Sequence, residues 1–409
     1  MGGELHTRLV GREPGMIEYA MRRPKSAGCT PRSAKVQPFY VMELLEKAQV
    51  LEARGEDVVH MEIGEPDFGS PSVVREAAVK AIGEGRTFYT HSLGLKELRE
   101  RIAAHYAESR DVQVSPERII ITNGTSGAFF LLCAVLLDRR RNLFISDPGY
   151  PCYRNFGALF DTRVVSLPVS EMSRFEITPD QLDEAGVTPH LLMVCSPSNP
   201  TGAEYRKESL ERLHACIRAK GGLLAVDEIY SGLSYGKKWT SALAVADDII
   251  VIDGFSKTYA MTGWRLGWIV VPQWLVRPMQ KVAQNVFISA PTVSQYAALH
   301  AFDAREELEA MKRTYMDRRD YLFPRLRELG FGLPVWPDGA FYIYANIERW
   351  GMDSMVFTER ALTEAGVAIT PGYDFGSHQA GSHVRFSYAS DLKNLRLGCQ
   401  RLEKWLKRL

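Results

Sequence analysis

The chain has 409 residues, 45% hydrophobic and 24% charged, a composition that suits a globular enzyme large enough for two domains. Its 50 basic and 49 acidic residues leave a net charge of +1, which gives no electrostatic case for binding nucleic acid or an anionic membrane. The longest apolar run near a helix, Ala128–Leu137, is too short to span a bilayer. The 6 cysteines show no paired spacing and the 9 histidines no zinc pattern, so free thiols in a reducing, cytoplasmic compartment and no metal are expected.

Residues 1 to about 35 carry Gly, Pro and Arg without a period and read as a flexible arm. Glu4, Glu13 and Glu18 argue against a transit peptide. Helical spacing predicts helices over Pro38–Arg54, Ser72–Ile82 and Leu95–Ser109. A short strand, Val58–Ile63, and a turn, Gly64–Phe68, lie between the first two. Apolar strands then follow at Ile119–Thr122, Asn142–Ser146, Thr162–Leu167, His190–Cys195, Leu223–Asp227, Ile249–Asp253 and Trp268–Val271. Helices at Ser126–Leu137 and Lys207–Lys220 interrupt them. This alternation implies an α/β fold, a mostly parallel seven-stranded sheet with helices on both faces.

Beyond Pro291 the texture changes to a charged helical stretch, Tyr296–Leu329, and a period-two strand, Phe341–Ala345. A helix at Ser354–Ala365, a strand at His383–Tyr388 and a helix at Leu392–Leu406 complete a smaller α+β domain. The expected division is an arm of residues 1–35, a large domain of 66–295, and a small domain of 36–65 with 296–409.

Chemistry concentrates in Gly254-Phe-Ser-Lys-Thr-Tyr-Ala-Met-Thr-Gly-Trp-Arg-Leu-Gly267. Lys257 follows a buried strand and is boxed in by small, aromatic and apolar residues. A lysine so placed is poorly solvated, has a lowered pKa and can act as a nucleophile toward a carbonyl. Gly124-Thr-Ser-Gly127 lies between a strand and a helix, where free N–H groups and two hydroxyls form either a phosphate site or an ordinary cap. It does not fit the spacing of a hydrolase nucleophile elbow. Asp227 ends a strand, at the edge where open α/β sheets bind ligands, though a helix cap is the plainer role.

The Lys257 window resembles the lysine signature of class I/II aminotransferases, the fold-type I enzymes that use pyridoxal 5′-phosphate. The resemblance runs from about Val36 to the C-terminus, with the motifs in the family's order. It implies that Lys257 carries the cofactor and acts as general acid and base. Gly124, Thr125, Ser126, Ser256 and Arg265 would hold its phosphate, and Tyr150 would stack on its ring. Asp227 would face the ring nitrogen, with Tyr230 and Asn199 on the phenolic oxygen. Arg385, with the Gly64 backbone and Asn199, would bind the α-carboxylate of the substrate, and Tyr40 would close over it.

Tyr89 matches a tyrosine that reaches the phosphate in a neighbouring subunit, which implies a homodimer with shared sites. The substrates implied are an L-amino acid and a 2-oxo acid. The segment Asn285–Pro291 is largely apolar, and Asn285 and Phe287 suggest neutral or aromatic substrates, or broad specificity. Two rivals share these motifs: a carbon–sulfur or other β-lyase on the same fold, and a non-catalytic sensor fused to a DNA-binding module.

Overall fold

The computed structural model describes residue 28, residues 30–236 and residues 239–409. Most of the expected N-terminal arm, residues 1–27 and 29, therefore lies outside the described residues. The chain forms strands β1 (Val59–His60), β2 (Ile119–Thr122), β3 (Asn142–Asp147), β4 (Arg163–Pro168), β5 (Leu191–Cys195), β6 (Leu223–Asp227), β7 (Ile250–Gly254), β8 (Gly267–Val270), β9 (Tyr342–Asn346), β10 (Val367–Ala368), β11 (Thr370–Pro371) and β12 (His383–Ser387).

Seven of these make one sheet in the order β2-β8-β7-β6-β5-β3-β4. All of its strands run parallel except β8, which is antiparallel to both neighbours. The connection from Gly254 to Gly267 holds no α-helix. A parallel return needs a longer crossover, so β8 has to run the other way.

Successive residues of each inner strand feed two different cores. Ile120, Leu143, Leu191, Met193, Ala225, Ile250, Ile252 and Ile269 pack on one face. Ile121, Phe144, Leu192, Val194, Val226, Val251, Trp268 and Val270 pack on the other. Both faces are covered, which is why these strands read as continuous apolar runs rather than alternating ones. Only the edge strand β4 is largely open.

The smaller domain holds the antiparallel sheet β11-β12-β9 and the parallel pair β1-β10. Helices Ser354–Ala365 and Leu392–Leu406 pack on it as expected. The charged stretch Tyr296–Leu329 proves to be two helices, Thr292–Ala298 and Arg305–Glu328, separated by a tight turn at Ala301–Asp303. Four α-helices among the described residues went unpredicted: Pro31–Ala34, at the end of the expected arm, Pro151–Leu159, Pro179–Glu184 and Gln273–Val286.

The expected strand Val58–Ile63 pairs regularly over only two residues. Beyond them the backbone bonds alternately to two partners: Met61 N–H donates to Ala368 O at 3.1 Å, and Met61 O accepts from Ser387 N–H at 2.7 Å. The turn that follows is fixed to the long helix, because Arg318 makes a two-pronged ion pair with Asp67 at 2.7 Å.

Helix Tyr40–Ala53 is tied to the same stretch by His60. Its Nδ1 lies 2.7 Å from Glu62 and its Nε2 3.1 Å from Glu52 on the helix. The hydrogen bond to Glu62 leads in raising the imidazole pKa to about 9, against the opposing effect of burial. A folded-state pKa raised above the ordinary 6.5 contributes stability fully present below 6.5 and lost as pH rises through 9. Denaturant unfolding across that window should show the decline, and His60→Gln should flatten it; an unchanged slope would remove His60 as its source.

Candidate active site

The parallel strands all end at one edge of the sheet, and the loops leaving that edge carry the candidate residues. β2 leads to Gly124–Ser126, β3 to Tyr150, β5 to Asn199, β6 to Asp227 and Tyr230, and β7 to Lys257. Because β8 runs the opposite way, its start brings Arg265 to the same edge. A ligand outside the C-terminal ends of the strands meets all of them.

All of these residues but Gly124 line a cavity of about 350 Å³. Around it stand Thr125, Ser126, Tyr150, Asn199, Asp227, Tyr230, Ser256, Lys257 and Arg265 from the large sheet. Gly64 and Arg385 enter from the other side.

One end of the cavity suits an anion. Helix Gly124–Leu136 presents its N-terminus there. Gly124 has φ +66°, and a Cβ on it would lie 2.9 Å from Arg265 Nη2, so only glycine lets the guanidinium sit against the helix start. Arg265 itself is exposed and has φ +54°, as Ala260 has +49°. Two non-glycine residues in the left-handed region bracket this loop, which is the kind of local strain found at functional sites.

Asp227 is buried. One oxygen accepts from Tyr153 Oη at 2.7 Å, the other from Ile229 N–H at 3.2 Å. Burial raises its pKa to about 6, although both hydrogen bonds pull the other way. Lys257 donates from Nζ to Gly64 O at 2.6 Å. Burial lowers its amine to about 8; the Glu65 charge opposes this, and Arg385 and Arg265 reinforce it. A substantial share of that amine is neutral near physiological pH, which an ordinary lysine does not achieve.

Arg385 sits on the middle strand of the small sheet and is 3% exposed. It donates to Asn199 Oδ1 at 3.0 Å, to Glu62 O at 2.5 Å and to Thr370 Oγ1 at 3.3 Å. Among the described residues its buried Nε has no partner. The fork is thus held rigid and left short of an acceptor, a preparation for a carboxylate.

Residues 56–402 match the family model described as aminotransferase class I and II. This chain belongs to that family. The aminotransferase relatives include a valine–pyruvate aminotransferase from Mycobacterium tuberculosis, 37% identical over 91% of this chain and 97% of the relative. A (5-formylfuran-3-yl)methyl phosphate transaminase from Methanocaldococcus jannaschii is 36% identical over 92% of this chain and 98% of its own length. The crystal structure of an aminotransferase from Mycobacterium tuberculosis superposes with a TM-score of 0.91 at 35% identity, covering 94% of this chain and all of that one. The chain is a transaminase, and all three relatives carry that activity in their names, not a lyase activity. Members of the family depend on pyridoxal phosphate.

Three expected residues do not line this aminotransferase cavity: Gly124, which starts the helix beside Arg265, Tyr40 and Tyr89. Tyr40 points into a separate small recess with Glu43, Lys47 and Met355, while its backbone N–H donates to Asp374 at 2.8 Å. Its neighbours Phe39, Val41, Met42 and Leu45 line the cavity instead. Tyr89 is 78% exposed and lies beside Phe88, Arg86 and Tyr296 on a surface recess. Asn285 and Phe287 likewise do not line the cavity; Phe287 packs on Phe130.

The structure adds residues that sequence reasoning missed: Tyr153 behind Asp227, and Ile63, Glu65, Cys195, Thr262 and Tyr342 in the cavity wall. Tyr153 lies one helical turn beyond Tyr150, a spacing that puts both on one face and is a legible signal. Among the described residues no cluster of potential metal ligands occurs, and no helix is long and apolar enough to cross a membrane.

Proposed function

We propose that this transaminase uses pyridoxal 5′-phosphate to move an amino group from an apolar L-amino acid to a 2-oxo acid. The observation carrying this reading is Lys257, a buried amine lowered to about 8, set in one cavity with an anion cradle, a buried carboxylate and an unsaturated arginine. That set fits the cofactor. Gly124–Ser126, Ser256 and Arg265 would hold the phosphate, Asp227 the ring nitrogen, and Tyr230 and Asn199 the phenolic oxygen. Tyr150 would cover the ring, and Lys257 would hold the aldehyde carbon. When bound, pyridoxal phosphate supplies an electron sink for negative charge developing at the substrate Cα.

The residues of the chain do the rest. Arg385 orients the substrate by its carboxylate, which presents the Cα–H bond to Lys257. Lys257 Nζ, largely neutral above about 8, takes the proton from Cα and returns it as general acid. Asp227, ionised above about 6, keeps a proton on the nitrogen it faces. Closure of residues 36–65 and 296–409 over residues 66–295 would shut out water and bring Phe39 and Arg385 inward.

The side-chain space is bounded by Phe39, Val41, Met42, Leu45 and Ile63. This supports an apolar or aromatic amino acid, and the similarity to a valine–pyruvate aminotransferase agrees with it. The exposed Phe88–Tyr89 pair supports a homodimer in which Tyr89 serves the neighbouring site. The five described cysteines are free thiols, which supports a reducing, cytoplasmic setting.

The test is a half-reaction. Purified holoprotein is mixed with one amino acid at a time, without a 2-oxo acid, and its absorbance is followed. Apolar or aromatic amino acids should give one equivalent of 2-oxo acid per site and then stop. Continuous release of ammonia and 2-oxo acid would mark a lyase, and faster conversion of aspartate would refute the apolar reading.

A further inference from the structure

Tyr230 and Arg385 come from different domains, yet both rest on one side chain. Tyr342 lies on β9, opposite Ser387 on β12, and is 1% exposed. Its hydroxyl is 2.9 Å from the Tyr230 hydroxyl, and its ring lies under the Arg385 guanidinium at 4.2 Å. The same hydroxyl fixes what residue 64 can be, since a Cβ on Gly64 would come within 2.5 Å of it. The groups facing Tyr342 that titrate or carry charge are Arg385 on β12, Tyr230 after β6 and Cys195 at the end of β5.

We propose that Tyr342 is a positioning residue that orients the Tyr230 hydroxyl into the cavity and seats the carboxylate-binding Arg385, so that one side chain sets both ends of the site. This rests on the cofactor reading given above. Among the described residues the Tyr342 hydroxyl is the one partner of the Tyr230 hydroxyl. If Tyr342 O–H donates, the Tyr230 oxygen accepts, and the Tyr230 proton is left free to point at a ligand oxygen. Arg385 favours that direction, because a cation on the face of a phenol ring makes its O–H a better donor. The ring acts separately, as a flat support that keeps the guanidinium in place while its remaining N–H waits for an acceptor.

The two contributions can be separated by substitution. Tyr342→Phe keeps the ring and removes the hydroxyl. Tyr230 then donates more weakly to an anionic oxygen, so the pH midpoint of the holoenzyme's visible absorbance change should rise by about 0.5 unit, the equivalent of one neutral hydrogen bond. Its affinity for a monocarboxylic substrate analogue, measured by spectral titration, should stay within about twofold of the unmodified protein, since the cation–π support remains. Tyr342→Leu removes both and should show the same rise together with analogue binding at least about tenfold weaker, reflecting a guanidinium no longer held.

Thermal unfolding of each variant checks that the fold is kept. An unmoved midpoint in Tyr342→Phe would overturn the role of the hydroxyl. Unweakened analogue binding in folded Tyr342→Leu would overturn the role of the ring. If the unmodified protein takes up no pyridoxal phosphate, the cofactor reading fails first and the inference fails with it, a result visible without any variant.

Discussion

Replacing Lys257 by alanine is expected to reduce turnover by more than about 10⁴-fold while leaving the fold intact. The amine is the one basic group in the cavity whose pKa, lowered to about 8, leaves a reactive neutral fraction near neutrality. It is also the proposed proton carrier at Cα, and a methyl group can do neither task. The truncation leaves the Gly64 carbonyl without its Nζ donor but removes a costly buried cation, so the thermal midpoint should move little. Non-covalent uptake of pyridoxal phosphate should persist, because Arg265, the helix start at Gly124 and Asp227 are untouched.

The measurement is single-turnover conversion with and without an added small primary amine. Partial rescue by the amine would point to the missing proton carrier, and undiminished multiple turnover would refute the assignment. In the unmodified protein, reaction of the cofactor-free form with pyridoxal phosphate should accelerate as pH rises through about 8, where Lys257 loses its proton.

Much of this site could be read from the sequence because its groups sit at strand ends. Lys257, Asp227 and Asn199 each follow a run of buried apolar residues, and a parallel sheet gathers such ends at one edge. The sheet itself was legible for the same reason, since strands buried on both faces leave an uninterrupted apolar pattern. Arg385 is placed by the family resemblance of its strand motif rather than by its local pattern, since an arginine between apolar neighbours can also be an ordinary surface residue of an edge strand.

What the sequence hid depends on contacts between distant residues. Tyr153 reaches Asp227 across 74 positions and Tyr342 reaches Tyr230 across 112; the spacing of Tyr150 and Tyr153 marks a shared helix face, but no local pattern names the distant partner of either. Tyr40 and Phe39 differ by one position, a step of about 100° around a helix start, and that step decides which of them enters the cavity. Helix Gln273–Val286 does carry apolar residues at helical spacing, with Leu275, Val276, Met279 and Ala283 buried, but Pro278 inside it reads as a breaker. The break between Ala298 and Arg305 was hidden because Leu299–Ala304 holds neither glycine nor proline to mark it.

Replacing Asp227 by asparagine is expected to slow the transamination half-reaction by about 10²–10³-fold, the range for losing one preorganised electrostatic partner at a reacting centre. Asparagine keeps the shape and can still accept from Ile229 N–H, but it cannot hold a proton on the nitrogen opposite. It also leaves the Tyr153 hydroxyl facing an amide, fully buried, where a carboxylate had accepted its proton. Tyr153→Phe separates these effects. It removes the 2.7 Å hydrogen bond and keeps the charge, so Asp227 loses an interaction that now lowers its pKa from the value set by burial.

In Tyr153→Phe the carboxylate is therefore expected to titrate above about 6, and the acid limb of the half-reaction's pH profile should move to higher pH. At alkaline pH, where Asp227 is ionised in both proteins, the rate should approach that of the unmodified enzyme. Asp227→Asn should show no such recovery at any pH. A Tyr153→Phe profile that keeps its acid limb in place, with the rate lowered uniformly, would mean that Tyr153 supports packing alone. A half-reaction in Asp227→Asn as fast as in the unmodified protein would remove the carboxylate from the chemistry altogether.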